Sequence, residues 1–476
     1  MHRRTLLTTA GAAAAGASGA LGSLAGCATT PSLPGGGPSV GEREALPGDA
    51  AWPQRHLDAR NSSYAPGSGP TPPVETRELL PPGTVDGPVR VGDGMVYAET
   101  REGIGRVPLD GGEPEPGWIA GPDRLRSLTL TEDHLVTSHD RFEAPLAVGY
   151  ERATGESAWT NDRVEPPYVA DPTRSGGRLY WPLSSVCVVD PSTGAIAGRH
   201  TGSAQAEDES TPAVVDDTTY FHEGDTLSAV GPDGRQRYSR DVSFPTPVYP
   251  DDRQALHGPV VADEDHLLAM KGYTFAHRGP IGRSPPTPPA AGPGPPLPHG
   301  KPSFPTDHGE YHPVTTNPPP HGDHAAIYGF DRETGARRWT VELDGLGVYG
   351  PPALADGVAF VTATAVVPVT EISGTVEGDG AADGRVSRAA VHAIDTRDGS
   401  RFWTRTFDEP VVQSDPPVVA DGPCYLNQGR RVLALVVTSG ETEWSLSLDG
   451  FLTNRPRLVD GTLLVTTDDG TLLAVE

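Results

Sequence analysis

Apolar residues along most of this chain come in short alternating runs, punctuated by Asp, Gly, Thr and Pro. The clearest unit is Ile327-Tyr-Gly-Phe-Asp-Arg-Glu-Thr-Gly-Ala-Arg-Arg-Trp-Thr340. Tyr328 and Phe330 alternate with smaller residues, the period of a half-buried strand. Asp331 to Gly335 supplies a tight turn in which Gly335 is free to take a positive φ. Trp339 then returns an aromatic to the packed face of the outgoing strand. One such hairpin is only marginally stable in water, but this one recurs. Copies run from Ala147 to Trp159, Val391 to Trp403 and Leu433 to Trp444, with a longer-turned copy from Ile104 to Trp118. Weaker copies are Val186 to Arg199, with Gly198 in the Trp place, and Leu227 to Ser239, with Tyr238 there.

A second phrase precedes each copy. It begins at Pro88, Pro212, Pro259, Pro352, Pro417 and Pro456, with degenerate versions at Ser127 to Val136 and Pro172 to Tyr180. It reads as strand, Asp-Gly-type turn, strand. Two hairpins make four strands, which is one propeller blade, and eight such units are present. The eighth stops at Leu472 to Glu476, one strand short. Val74 to Leu80, ahead of the first unit, is the leftover strand that completes it and removes the free edges. The predicted fold is all-β: a closed eight-bladed β-propeller of four-stranded antiparallel blades, its ring closed by an N-terminal strand in the last blade.

Composition changes this picture at the margins. The chain carries 37 Lys+Arg against 63 Asp+Glu, a formal charge of −26. Such acidity argues against nucleic acid and anionic membrane surfaces as partners. It suits either a high-salt habitat, where screening removes self-repulsion, or an ordinary acidic surface protein. Cys187 and Cys424 fall in the third and seventh blades, opposite each other on the ring. A disulfide needs Cα atoms within roughly 7 Å, so both are expected to be unpaired core residues.

The N-terminus reads as an export segment. Arg3 and Arg4 precede an Ala/Gly-rich stretch ending Leu24-Ala-Gly-Cys27, too short and Gly-rich for a good membrane span. The arginine pair resembles a twin-arginine signal, and Leu24 to Cys27 resembles a lipobox in which Cys27 is lipidated. The organisation expected is thus a signal over 1–27, a flexible Pro/Gly/Ser/Thr linker over 28–50, and the propeller over 51–476. Two insertions interrupt it, a Pro/His-rich one at 272–323 and a second at 365–387. Both join second to third strands of adjacent blades, and so crowd one sector of one face. Loops this long are functional or disordered. The first carries His308, His312, His321 and His324, ligand types for zinc, copper or nickel, but no regular element fixes their spacing. A solvated loop is the reading adopted, and no metal residue is assigned.

The Asp-x-x-Thr-Gly-x-x-x-Trp phrase resembles the PQQ-binding-like β-propeller repeat over about residues 51 to 476. That resemblance implies one of two functional classes. One is BamB-like lipoproteins, non-enzymatic eight-bladed scaffolds in outer-membrane protein assembly. The other is quinoprotein dehydrogenases, which hold pyrroloquinoline quinone (PQQ) and calcium over the propeller axis. It further implies that Trp159, Trp339, Trp403 and Trp444 pack between blades and bind no cofactor. The dehydrogenases typically stack the quinone against a ring of adjacent disulfide-bonded cysteines, and this chain has no adjacent cysteine pair. Members without that disulfide exist. No nucleophile elbow, phosphate loop or zinc-protease pair is present. The expectation is a monomeric, exported protein, held on the outer side of the cytoplasmic membrane by its lipid anchor alone. It acts as a scaffold for an extracytoplasmic protein partner, with no catalytic residue and no cofactor. The alternative is a PQQ-dependent oxidoreductase with calcium. The axial face discriminates them: clustered acids and amides beneath an exposed Trp suit the enzyme, and apolar or Arg-lined walls suit the scaffold.

Overall fold

The computed structural model describes residues 52, 54–120, 125–139, 146–162, 171–182, 186–200, 211–242, 256–271, 273–274, 325–343, 347–348, 350–368, 385–410 and 417–476. Arg3, Arg4, Cys27, the 28–50 linker and His308, His312, His321 and His324 lie outside them.

Every regular element among the described residues is a strand, and the strands form eight antiparallel sheets in a ring. Blades 1 to 7 span residues 85–120, 125–161, 173–200, 213–241, 256–342, 353–410 and 418–447. Blade 8 takes three strands from residues 457–475 and its fourth from Thr76–Leu80. That fourth strand pairs antiparallel with Leu472–Val475, Thr76 opposite Val475. The ring closes where the missing strand of the last unit requires it.

First strands of neighbouring blades touch one another, so the first strand of each blade is the innermost. Several are short and apolar: Ala213–Val215 and Ala353–Ala355 are wholly buried. The turns that follow carry paired positive φ angles, as in Asp93 (52°) with Gly94 (67°) and Asp356 (52°) with Gly357 (74°). A two-residue hairpin turn with the right twist demands this, and Asp and Gly tolerate it. Apolar clusters straddle the seams between blades; the largest joins blades 7, 8 and 1 at the closure.

Blade 6 is the most elaborated. Its second and third strands, Val358–Pro368 and Arg385–Asp395, pair continuously out to Pro368 opposite Arg385. Both ends of the 365–387 insertion therefore continue the hairpin as a ladder. Gly347–Val348 joins this sheet, and Tyr273–Thr274 pairs parallel to it. The first residues of the 272–323 insertion in blade 5 thus cross to the sheet of blade 6. Cys187 and Cys424 are both fully buried and form no disulfide.

Candidate functional site: the axial channel

The Asp-x-x-Thr-Gly turns place the repeat's aromatics. Asp331 Oδ1 accepts from the Thr334 amide (2.8 Å) and hydroxyl (2.7 Å), and the Gly335 amide donates to the Asp331 carbonyl at 2.8 Å. The strand leaving this turn projects Trp339 across the seam to blade 6, where its Nε1 donates to the Thr396 carbonyl at 2.7 Å. A Cβ on Gly399 would lie 2.9 Å from that ring, so the turn needs glycine for close approach as well as for its positive φ. Trp159 donates likewise to the Pro191 carbonyl of blade 3 (2.9 Å), and Trp403 to the Val437 carbonyl of blade 7 (2.8 Å). At the closure no such turn exists, because the chain termini meet there. Trp444 donates instead to the Pro70 carbonyl at 3.1 Å. All four tryptophans thus sit on seams between blades, away from the axis.

The axis is taken by a segment whose role the repeat pattern did not reveal. Residues 52–67 travel around the channel and meet the inner strands nearly in blade order. Trp52 exchanges two backbone hydrogen bonds with Val91 of blade 1 (2.8 and 3.0 Å). Gln54 Oε1 accepts from the Arg174 amide of blade 3 at 2.6 Å. The carbonyls of Ala59, Arg60 and Ser62 accept from Val214 of blade 4 (2.7 Å), Ala262 of blade 5 (3.0 Å) and Leu354 of blade 6 (2.7 Å). Ser63 and Ala65 bracket Val419 of blade 7, at 3.1 and 2.8 Å. An innermost strand presents an unpaired edge to the channel, and this lap satisfies those edges.

Side chains tighten the lap. Asn61, fully buried, donates through Nδ2 to the Thr211 carbonyl (3.0 Å) and the Val260 carbonyl (2.9 Å), tying blade 4 to blade 5. Tyr64 donates its hydroxyl to Asp421 of blade 7. To follow the circle, Leu57, Asn61 and Ser63 adopt φ of 74°, 59° and 52°. Left-handed non-glycine residues cost on the order of 1 kcal/mol each, which the surrounding hydrogen bonds offset.

Arginines gather around the lap, each with its partners. Arg90, 2 % exposed, donates from Nη2 to Asp171 Oδ1 at 2.9 Å, and Arg55 lies 3.6 Å from Asp171 Oδ2. Arg455 of blade 8 donates from Nη1 to His56 Nδ1 (2.6 Å) and to the Ser63 hydroxyl (2.7 Å). Burial, then the charges of Arg455, Arg55 and Arg90, hold His56 well below the usual imidazole range. Burial likewise lowers Arg90 against the opposing pull of Asp171. The signal for this chemistry was present in the repeat. Arg90 and Arg174 stand where the same phrase has Val214, Val261, Leu354 and Val419. A charge at an apolar repeat position marks a blade doing something the others do not.

A quinone over the axis would need a flat stacking surface on both faces and a divalent ion at its carbonyl edge. Among the described residues, no three of His, Cys, Asp and Glu converge on a metal-sized site. Trp52 is fully buried by the lap and offers no open ring face. The described residues at the axis do not fit that group.

Residues 115–301 and 387–476 match the family model described as outer membrane protein assembly factor BamB. No curated protein sequence matches the chain significantly. Among solved structures, BamB from Moraxella catarrhalis superposes with a TM-score of 0.50 at 13 % identity, covering 84 % of this chain and 98 % of that one. A quinohemoprotein alcohol dehydrogenase from Comamonas testosteroni gives 0.56 at 10 % identity, covering 89 % and 80 %. Another from Pseudomonas putida HK5 gives 0.55 at 10 %, covering 90 % and 80 %. At these identities the structural likenesses speak to the propeller fold alone. The matched segments make up more than half of the chain, and it belongs to the family of propellers described as outer membrane protein assembly factor BamB.

Proposed function

We propose that this protein is a lipid-anchored, extracytoplasmic propeller that serves as a binding or assembly scaffold for another protein of the envelope. The observation carrying this reading is the lap of residues 52–67, hydrogen-bonded to inner strands around the channel. It runs through the axial channel, over which the resemblance has quinoprotein dehydrogenases hold their cofactor, and there it meets the arginines Arg90 and Arg455. The family description, an assembly factor, agrees with that role. A blade-6 hairpin extended by paired residues out to Pro368 and Arg385, in the sheet that Tyr273–Thr274 joins, offers the surface for a partner.

The export signal of Arg3 and Arg4, and lipidation at Cys27, complete the proposal. A linker the length of 28–50 has an r.m.s. span of roughly 25 Å, enough to hold the propeller clear of the bilayer. Two acyl chains anchor stably where one does not. Cys27→Ser should therefore release an exported, cleaved and folded protein from membranes. Membrane retention of that variant would remove the anchor from the proposal. The scaffold role itself is tested by affinity capture of the tagged, lipidated protein from solubilised membranes. A stoichiometric envelope protein whose recovery falls when residues 369–384 are replaced by a short Gly/Ser turn is the expected result. Recovery of the propeller alone would count against it.

A further inference from the structure

The lap and the two insertions lie at opposite ends of the inner strands. The inner-strand residues whose backbone meets the lap stand beside the turn from first to second strand. Val91, Arg174, Val214, Leu354 and Val419 each precede that turn by two positions, and Ala262 by one. At blade 7 the lap reaches the turn itself: the Gly67 amide donates to Asp421 Oδ2, and the Asp421 amide to the Gly67 carbonyl, both at 3.0 Å. The connections from second to third strand stand at the other end. Lys271, the last residue of blade 5's second strand, pairs with Leu256, the first residue of its first strand. In blade 6 the second strand passes the start of the first where Phe360 faces Ala353, and runs on to Pro368. Both insertions therefore leave from the end away from the lap.

The chain also comes to the lap from the turn side. Trp52 pairs antiparallel with Val91, and Val91 runs on into the turn of Asp93 and Gly94. The direction from which the chain arrives at Trp52 is therefore that of the turn. A tether ahead of Trp52 is attached at the axis of the turn face, and this restricts how the ring can lie. To bring the opposite face to the membrane, the linker would have to run roughly 20 Å outward along four strand spacings, then about as far again past the blade edges. Its r.m.s. span is only roughly 25 Å.

We infer that the propeller hangs from the membrane by the axis of its turn face, and that the face bearing both insertions points away from the anchoring bilayer and is the one a partner meets. That partner is an extracytoplasmic protein or domain standing on the order of 45 Å from the bilayer, the linker span and one strand length together. A protein confined to the anchoring bilayer would meet only the turns. The inference rests on the anchor and the scaffold role proposed above, and its test separates it from both.

Mature protein coupled through Cys27 to a maleimide lipid, in phosphatidylcholine vesicles with an acceptor dye among the headgroups, tests the orientation. Cys187 and Cys424 are fully buried and do not compete for the coupling. A donor dye is placed through an azido residue at Glu333, between the third and fourth strands of blade 5, or at Arg385, at the end of the paired blade-6 ladder. Glu333 marks the turn face, because the adjacent Arg332 amide donates to the Asp265 carbonyl of the first-to-second turn at 2.9 Å. Energy transfer should be greater from Glu333, with the Arg385 dye farther from the bilayer by on the order of 20 Å, one strand length. Equal transfer, or the reverse order, would overturn the orientation, whether or not the cell lipidates Cys27. Photo-crosslinking residues at the same two positions test the partner's side in intact cells. Adducts from Arg385 and none from Glu333 are expected, and adducts from Glu333 alone would overturn the choice of face. Adducts from neither, with the expected order of transfer, would sink the scaffold reading and leave the orientation standing.

Discussion

At the residue scale, the seams are held by single aromatic side chains, each set by the turn before it. Trp339 is 8 % exposed and bonded across the seam. Trp339→Ala should destabilise the protein by roughly 3–5 kcal/mol, the usual effect of emptying a buried large aromatic site. The half-buried Trp403 should fall at the lower end of that range. Denaturant unfolding reads both, and an unchanged midpoint for both would mean the seams are held by something else. These tryptophans were legible in the sequence because the repeat spells them out with fixed spacing. A different residue-level feature, Asp356, was not. In blades 2 and 5 the residue three before the turn glycine is an arginine, and Arg152 and Arg332 reach back to Asp93 and Asp216 of the preceding blade. Blade 7 has Val437 there. Asp356 of blade 6 is therefore left with a buried, unsatisfied Oδ1, and burial, then the charge of Asp421, pushes it up to about 6 from 3.8. A carboxyl raised on folding contributes stability below its unfolded value that is lost as pH rises through its folded one. Asp356→Asn tolerates the same positive φ. Its advantage over wild type should therefore grow between about pH 4 and pH 7. A pH-independent difference in melting midpoint would refute this. Asp331 works in the opposite sense. Arg338 and then Thr334 hold it at about 2, so its contribution is present above pH 4 and fades as pH falls toward 2.

At the scale of elements, the two hairpin phrases gave away each blade, and the odd strand Val74 to Leu80 gave away the closure, because alternation and turn chemistry are local signals. The lap over 52–67 was invisible to the same reading. It has no alternation, its backbone partners are supplied by strands from 39 to over 350 residues away, and three of its left-handed residues are Leu, Asn and Ser where a sequence argument looks for Gly. Charged exceptions in the inner-strand phrase, Arg90 and Arg174 among them, pointed toward it. The lap should matter energetically. Asn61→Leu removes two hydrogen bonds and orphans the Thr211 and Val260 carbonyls between blades 4 and 5, which should destabilise by about 2–4 kcal/mol. A variant as stable as wild type in chemical denaturation would mean that the lap lies on the blades without tying them.

At the scale of the molecule, the ring is shut twice, once at its rim by Thr76–Leu80 in blade 8 and once at its centre by residues 52–67. Both locks come from the same N-terminal stretch, so the domain is complete only when that stretch has found all its partners. The whole chain carries a formal charge of −26, while arginines gather in the channel. The central claim is that the channel serves its own chain, leaving no seat for a redox cofactor. The most direct measurement is a titration of the purified mature protein with PQQ and calcium, followed by an alcohol-dependent dye-reduction assay. Low and multimolar salt are both needed, because screening determines whether so acidic a fold is under self-repulsion. The expected result is no saturable quinone binding and no turnover at either salt. Saturable one-to-one binding of PQQ with alcohol-dependent reduction would contradict the claim and make the protein a quinoprotein oxidoreductase.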